Sequence, residues 1–238
     1  RGPRSGPRPV FVTSRLDRPR PHDTNAPTTR PAPTGGRPGH RTILEGLTDA
    51  ENINPQIKRY LVLIPVTEPL DLTSTLLSGQ AFRWRQDGPW FHCVIFGGIV
   101  KLREVTGGVE LRCDPQAEGA IVPLLRDYLG LGTDLEKVYE TLLDDERLRE
   151  SIHRYPGMRI LRQDPWECLV SFICSSASNI PRITRNIEAM CTTFGRPVEL
   201  DGLTRHTFPT PNDLAEAGPE PLRGLGLGYR AEYVASTA

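Results

Sequence analysis

The stretch LRQDPWECLVSFICSSASNIPRI, Leu161 to Ile183, decides how the rest of the chain is read. Asp164 is a good helix N-cap and Pro165 suits the first helical position. Glu167 falls where a capping-box carboxylate reaches back to the cap. Leu169, Val170, Phe172 and Ile173 then offer an apolar face for burial. The next residues, Ser175-Ser176-Ala177-Ser178-Asn179, are too polar for a core and poor for a helix interior. A second helix restarts across Pro181. The segment reads as a buried helix delivering a short polar loop to a fixed place, and Asn179 is placed to cap the helix that follows.

Upstream the period is that of strands. Tyr60 to Val66 reads as a strand and Leu70 to Leu77 as a short helical or extended connector. Ala81 to Arg85, Trp90 to Phe96, Ile99 to Val105 and Val109 to Cys113 are then cut by Asp87-Gly88-Pro89, Gly97-Gly98 and Thr106-Gly107-Gly108. Turn residues at such spacing describe an antiparallel meander. From Ile121 the period lengthens to helices, at Ile121–Tyr128, Leu135–Leu143 and the charged Asp145–Tyr155. Past the opening stretch come Ile183 to Phe194 with Gly195 as C-cap, a short helix near Asn212 to Glu216, and a last helix from Tyr229. No cap, glycine or proline ends that last helix before Ala238, so it is expected to run on past the final residue. Strands followed by helices make an α+β chain.

Composition limits the function classes. The five cysteines, at 93, 113, 168, 174 and 191, form no CxxC pair and no His/Cys cluster, so neither a disulfide framework nor a metal site is indicated, and reduced core thiols are expected. No cofactor motif is present. No apolar run approaches the roughly 20 residues of a bilayer crossing, and no membrane partner is expected. No signal-peptide pattern opens the sequence, and an intracellular protein is expected, nuclear in a eukaryote and cytoplasmic or nucleoid-associated in a bacterium. The first residue is Arg1, so the chain is expected to begin mid-frame or after processing. Net charge is zero but uneven: residues 1–42 hold nine arginines against Asp17 and Asp23, leaving 20 basic and 27 acidic residues in 43–238. Residues 1–52 read as a disordered Arg/Pro/Gly-rich arm, able to add salt-sensitive attraction to nucleic acid or to serve as a tail without a partner.

Three short constellations carry the candidate chemistry, each with a plain structural alternative. In Ser78-Gly79-Gln80-Ala81-Phe82-Arg83-Trp84, Gly79 lets backbone approach a ligand and Phe82 offers a flat face; a turn glycine and a core phenylalanine would look the same. In Leu225-Gly226-Leu227-Gly228-Tyr229-Arg230, two glycines precede a helix whose first side chains could stack on a base and hydrogen-bond one; a flexible helix start is the alternative. The loop Ser175–Asn179 with Arg182 could enter a duplex from which a base has been removed, or Asn179 could only cap. The five histidines are isolated, none of them read as catalytic: two on the arm, then His92 on a strand, His153 on a helix and His206 on a loop.

Taken in order, SGQAFRW, LRQDPWECLVSFICSSASNIPRI and LGLGYRAEYV resemble the 8-oxoguanine DNA glycosylase/AP lyase family of the helix-hairpin-helix superfamily, from about Leu61 onward. The resemblance implies a strand-rich, TATA-binding-protein-like N-terminal domain over 53–158 and the first part of a helical glycosylase domain over 159–238. It implies a monomer that flips 8-oxoguanine out of duplex DNA where the lesion lies opposite cytosine. Gly79 would offer its carbonyl to the N7 hydrogen of the damaged base, with Phe82 in the same pocket. Arg182 and Arg230 would hold the estranged cytosine, Tyr229 would wedge the duplex, and Ser178 and Asn179 would line the gap. Where the family has three asparagines, this chain has Ala177-Ser178-Asn179, so the amide that normally enters the gap is missing.

The family's lysine nucleophile and assisting aspartate belong to a helix-hairpin-helix and a later loop. Both are expected downstream of Ala238, so the chain is expected to stop before them. Its lysines, Lys58, Lys101 and Lys137, have no hairpin context, and no catalytic residue is assigned within it. Base excision with abasic-site lyase activity is the expectation for the complete protein. A non-catalytic damaged-DNA-binding protein and a non-functional truncated remnant remain as alternatives.

Overall fold

The computed structural model describes residues 61–238; the expected arm, and the start of order expected at Ile53, lie outside the described residues. Strand β1 (Leu61–Pro65) leads through α1 (Leu72–Leu76) to β2 (Arg85–Asp87), β3 (Trp90–Ile95), β4 (Gly98–Val105) and β5 (Gly108–Arg112). These form one antiparallel sheet in the order β1-β5-β4-β3-β2, so the meander closes on the first strand. Alternating residues send Val100, Leu102, Val109 and Leu111 inward. They pack with Leu72 and Leu76 of α1 and with Ile121, Leu125 and Tyr128 of α2 (Glu118–Tyr128).

A second core gathers from α5 (Pro165–Ser175), α6 (Ile180–Phe194), α7 (Pro211–Ala217), α8 (Pro219–Leu222) and α9 (Arg230–Thr237). Val170, Cys174, Ile187, Met190, Leu214, Leu222 and Val234 are its centre. Ala238 follows α9 directly, after Thr237. Its N donates to Val234 O at 3.2 Å, and its methyl group packs partly buried against this core. Helices α3 (Leu135–Leu142) and α4 (Glu146–Arg154) lie between the two cores in sequence, each opened by an aspartate cap, Asp134 and Asp145. The architecture is α+β, as the patterns imply.

Several local readings change. Ala81 to Trp84 is not strand: β2 begins only at Arg85, because Phe82 packs on the helical core while Trp84 is buried in the sheet core. The face of α5 rotates: Val170, Ser171 and Cys174 are buried, whereas Leu169 is 43% and Phe172 75% exposed. A hairpin of β6 (Pro197–Leu200) and β7 (Leu203–His206) is absent from the pattern reading, and it takes His206 from loop to strand end. Its signal is Asp201-Gly202, both at positive φ (51° and 74°), the conformation a two-residue hairpin turn of primed type requires. Asp201 is tied back to the large sheet by Lys101 and Arg112, each at 3.2 Å.

The connector between α4 and α5 is fastened from both sides. Gln80 Nε2 donates to the Thr75 and Arg159 carbonyls, at 3.0 and 2.9 Å, and Leu161 N donates to Gln80 Oε1 at 2.9 Å. Arg159 is buried, and its guanidinium donates to the carbonyls of Gly130 (2.7 Å), Thr133 (3.2 Å) and Pro69 (3.2 Å) and to Glu68 (2.8 Å). Removing it leaves several acceptors without a donor. Arg159→Leu is therefore expected to lower stability by about 3 kcal/mol in urea or thermal denaturation, with Arg159→Lys recovering only part. A loss indistinguishable from zero would show that the connector is held by packing alone.

Candidate nucleic-acid interface

The polar loop is built by the helix ends on either side of it. Asp164 caps α5 through Trp166 N and Glu167 N, both 2.9 Å, with Pro165 in the first turn. The helix ends at Ser175, Ser178 N donates back to Ser175 O at 3.2 Å, and Asn179 Oδ1 caps α6 by accepting from Arg182 N at 3.0 Å. Ala177, at the loop's apex, has φ +45°, in the left-handed region that asparagine enters more readily than alanine.

The start of α9 meets this loop. Arg230 is buried, and its Nε donates to Ser176 O at 2.8 Å while Nη2 donates to Ser176 O and, at 3.0 Å, to Ala177 O. Nη1 reaches Leu227 O at 3.2 Å, and the guanidinium lies 4.6 Å from the Tyr229 ring centroid. The Tyr229 hydroxyl is 3.1 Å from Ser176 Oγ, with the ring half exposed to solvent. Arg182, exposed, donates to Gly226 O at 3.2 Å. Neither Arg182 nor Arg230 pairs with a carboxylate among the described residues.

Ser178, Asn179, Arg182, Tyr229 and Arg230 thus share one surface. Gly79 stands beside it: it has φ +89°, and a Cβ there would sit 3.3 Å from Ile180 Cδ1, at the start of α6. Phe82 is half-buried against the helical core. The two lysines among the described residues lie elsewhere, Lys101 on β4 and Lys137 on α3, paired with Asp201 and Asp134. Among the described residues no group of three or more His, Cys, Asp or Glu could hold a metal ion, and no helix is long and apolar enough to cross a membrane.

Residues 62–169 match the family model for the N-terminal domain of 8-oxoguanine DNA glycosylase. The N-glycosylase/DNA lyase OGG1 of Arabidopsis thaliana is 32% identical over 223 residues, covering 87% of this chain and 60% of that protein. The solved structure of MBOgg1 with a low-affinity DNA ligand is 33% identical with a TM-score of 0.70, over 75% of this chain and 61% of that one. The Clostridium acetobutylicum 8-oxoguanine glycosylase/lyase, in complex with double-stranded DNA containing cytosine opposite 8-oxoguanine, gives 25% identity and a TM-score of 0.65, over 75% of this chain and 64% of that one. Residues 62–169 are thus similar to the N-terminal domain of 8-oxoguanine DNA glycosylases, and the likeness to these relatives continues beyond that domain. The chain spans about six tenths of the length of each of these relatives.

What motif reading misses is the group joining the sheet to the helices. Arg83, 1% exposed, pairs with Glu167 at 3.5 Å and approaches Glu188 at 3.9 Å, and it donates to the His206 carbonyl. Glu188 also takes Arg205 at 2.8 Å and Arg85 at 3.4 Å. Glu167 therefore turns to Arg83 rather than back to the cap of its own helix. No short spacing announces this, since 84 positions separate Arg83 from Glu167. Burial pushes the Glu167 carboxyl up to about 7, with Arg83 pulling it down. Burial also pushes the Cys93 and Cys191 thiols up to about 12, which keeps both as neutral thiols.

The raised Glu167 value has a sign. Between its ordinary carboxylate range and about pH 7 the folded chain holds a proton that the unfolded chain has released, so stability falls as pH rises through that window and levels off above it. The expected size is on the order of 2 kcal/mol. Urea denaturation across pH 5–8 should show this decline in the wild type and a flatter profile in Glu167→Gln; parallel profiles would remove the assignment.

Proposed function

We propose that this chain carries the damage-reading side of an 8-oxoguanine N-glycosylase/DNA lyase of base-excision repair, acting on duplex DNA with 8-oxoguanine opposite cytosine. The observation that carries the reading is the convergence of the α5–α6 loop, Arg182 and the Tyr229-Arg230 pair on one surface beside Gly79. The match of residues 62–169 to the 8-oxoguanine DNA glycosylase N-terminal domain supports it, as do two solved neighbours described with DNA.

In this reading the described residues up to 158 form the strand-rich domain and 159–238 belong to the helical one. Tyr229 wedges the duplex, Gly79 presents its carbonyl to the damaged base near Phe82, and Arg182 exchanges the Gly226 carbonyl for the edge of the unpaired cytosine. Ser178 and Asn179 line the gap. Arg230 fixes the loop first, because its donors are engaged by Ser176 and Ala177, and reaches the cytosine only as that loop adjusts. The lysine nucleophile and assisting aspartate that the resemblance implies are assigned to no described residue. Lys101 and Lys137 each hold an aspartate away from the recognition surface.

The test is equilibrium binding of the 238-residue chain to matched duplexes with and without 8-oxoguanine opposite cytosine. The lesion duplex should bind more tightly, and Tyr229→Ala should weaken it about tenfold, the order expected for one stacked base. Equal binding of both duplexes would end the proposal. Borohydride trapping on the lesion duplex should give no adduct with this chain; an adduct would place a nucleophile among its own lysines.

The apex residue offers a gain-of-function check. Ala177→Asn places in the left-handed conformation a residue that favours it and restores an amide at the gap. It should leave the melting temperature unchanged or raised and increase the preference for cytosine over adenine opposite the lesion several-fold. An unchanged preference would show that position 177 does not face the opposite base.

A further inference from the structure

The outer face of α9 carries a second exposed aromatic that the proposed reading does not use. Tyr233, 59% exposed, lies one turn beyond Tyr229, which is 53% exposed. Their rings meet edge to face at 6.2 Å and 87°. The opposite side of the helix is buried through Arg230, Ala231 and Val234, so the two tyrosines point outward because the helix is fixed by its other face. The carboxylate between them, Glu232, is drawn off to Arg223 at 2.6 Å. What remains outward is a pair of rings ending in hydroxyls, beside guanidinium groups with no carboxylate partner among the described residues.

We infer that Tyr233 is a backbone-contacting residue of the same DNA surface, its hydroxyl donating to a phosphate next to the nucleotide met by Tyr229. The inference rests on the proposed DNA-binding reading. One helical turn advances about 5.4 Å, between one and two nucleotide steps of about 3.4 Å along a strand. Edge-on packing against Tyr229 keeps the second ring from stacking on the same base, which leaves its hydroxyl as the contacting group. A phosphate contact positions the duplex without reading sequence or damage.

The test compares Tyr233→Phe and Tyr233→Ala with wild type on lesion and undamaged duplexes over a salt series. Tyr233→Phe should weaken binding roughly three- to fivefold on both duplexes alike, as for loss of one hydrogen bond, and Tyr233→Ala somewhat more. The dependence on salt should keep its slope, since a neutral hydroxyl displaces no counterion. Phenylalanine keeps the ring, so a folding defect cannot account for its loss. Unchanged binding by both variants, while Tyr229→Ala still weakens the lesion duplex, would overturn this inference alone. Loss confined to the lesion duplex would also overturn it, by making Tyr233 a damage contact. A wild-type chain that binds neither duplex would remove the underlying reading itself.

Discussion

The guanidinium of Arg83 is the constraint on which the rest depends. Three consecutive residues go to three places: the Phe82 ring into the helical core, the Arg83 charge between the cores, and the Trp84 ring into the sheet core, where its Nε1 donates to Tyr128 Oη at 2.9 Å. A buried guanidinium is costly unless it is paired and hydrogen-bonded. Glu167 from α5, Glu188 from α6 and the carbonyl of His206 on β7 supply that compensation, and each comes from a different helical-half element. Its Nε still has no hydrogen-bond partner among the described residues. One side chain therefore registers the sheet against three elements at once.

That registration fixes the proposed recognition surface. Gly79 and Gln80 lie just before the stapled residues, and Gln80 holds the connector that ends in the Asp164 cap of α5. Helix α5 in turn sets where the polar loop begins. The far side of the loop is held by Arg230, whose fork takes the Ser176 and Ala177 carbonyls and so keeps Ala177 in a backbone conformation that alanine does not favour. The loop is thus shaped by interactions at both of its ends, and the position of its apex follows from Arg83 through α5.

The parts of this arrangement visible in sequence are those written locally. Asp164-Pro165, Asn179-Ile180-Pro181 and Gly195 declare helix ends because a cap acts within three residues, and the Gly-rich turns declare the meander for the same reason. The Asp201-Gly202 hairpin is equally local, but only four residues on each side pair, too few to build a clear alternation. Glu167 is misread because its spacing to Asp164 satisfies a capping box, while a buried cation 84 positions away outcompetes the cap. Phe172 is misread as buried because its neighbours alternate toward a core that turns by part of a helical turn, leaving it 75% exposed. Burial direction and long-range ion pairing are tertiary decisions, and no window of the sequence contains them.

Charge placement answers the objection that residues 43–238 are acidic while their proposed ligand is a polyanion. Many acidic side chains are paired with cations: Glu167 and Glu188 face Arg83, Arg85 and Arg205, Asp201 faces Lys101 and Arg112, and Glu220 and Glu232 face Arg223. At the loop the pattern reverses. Arg182 and Arg230 bond only to carbonyls, which satisfy their hydrogens without cancelling their charge. The Tyr229 surface therefore keeps two guanidinium charges without a carboxylate partner among the described residues, although the balance over the whole segment is negative. Because interactions between exposed charges fade beyond about 10 Å at ordinary salt, an approaching phosphate responds to this neighbourhood more than to the sum.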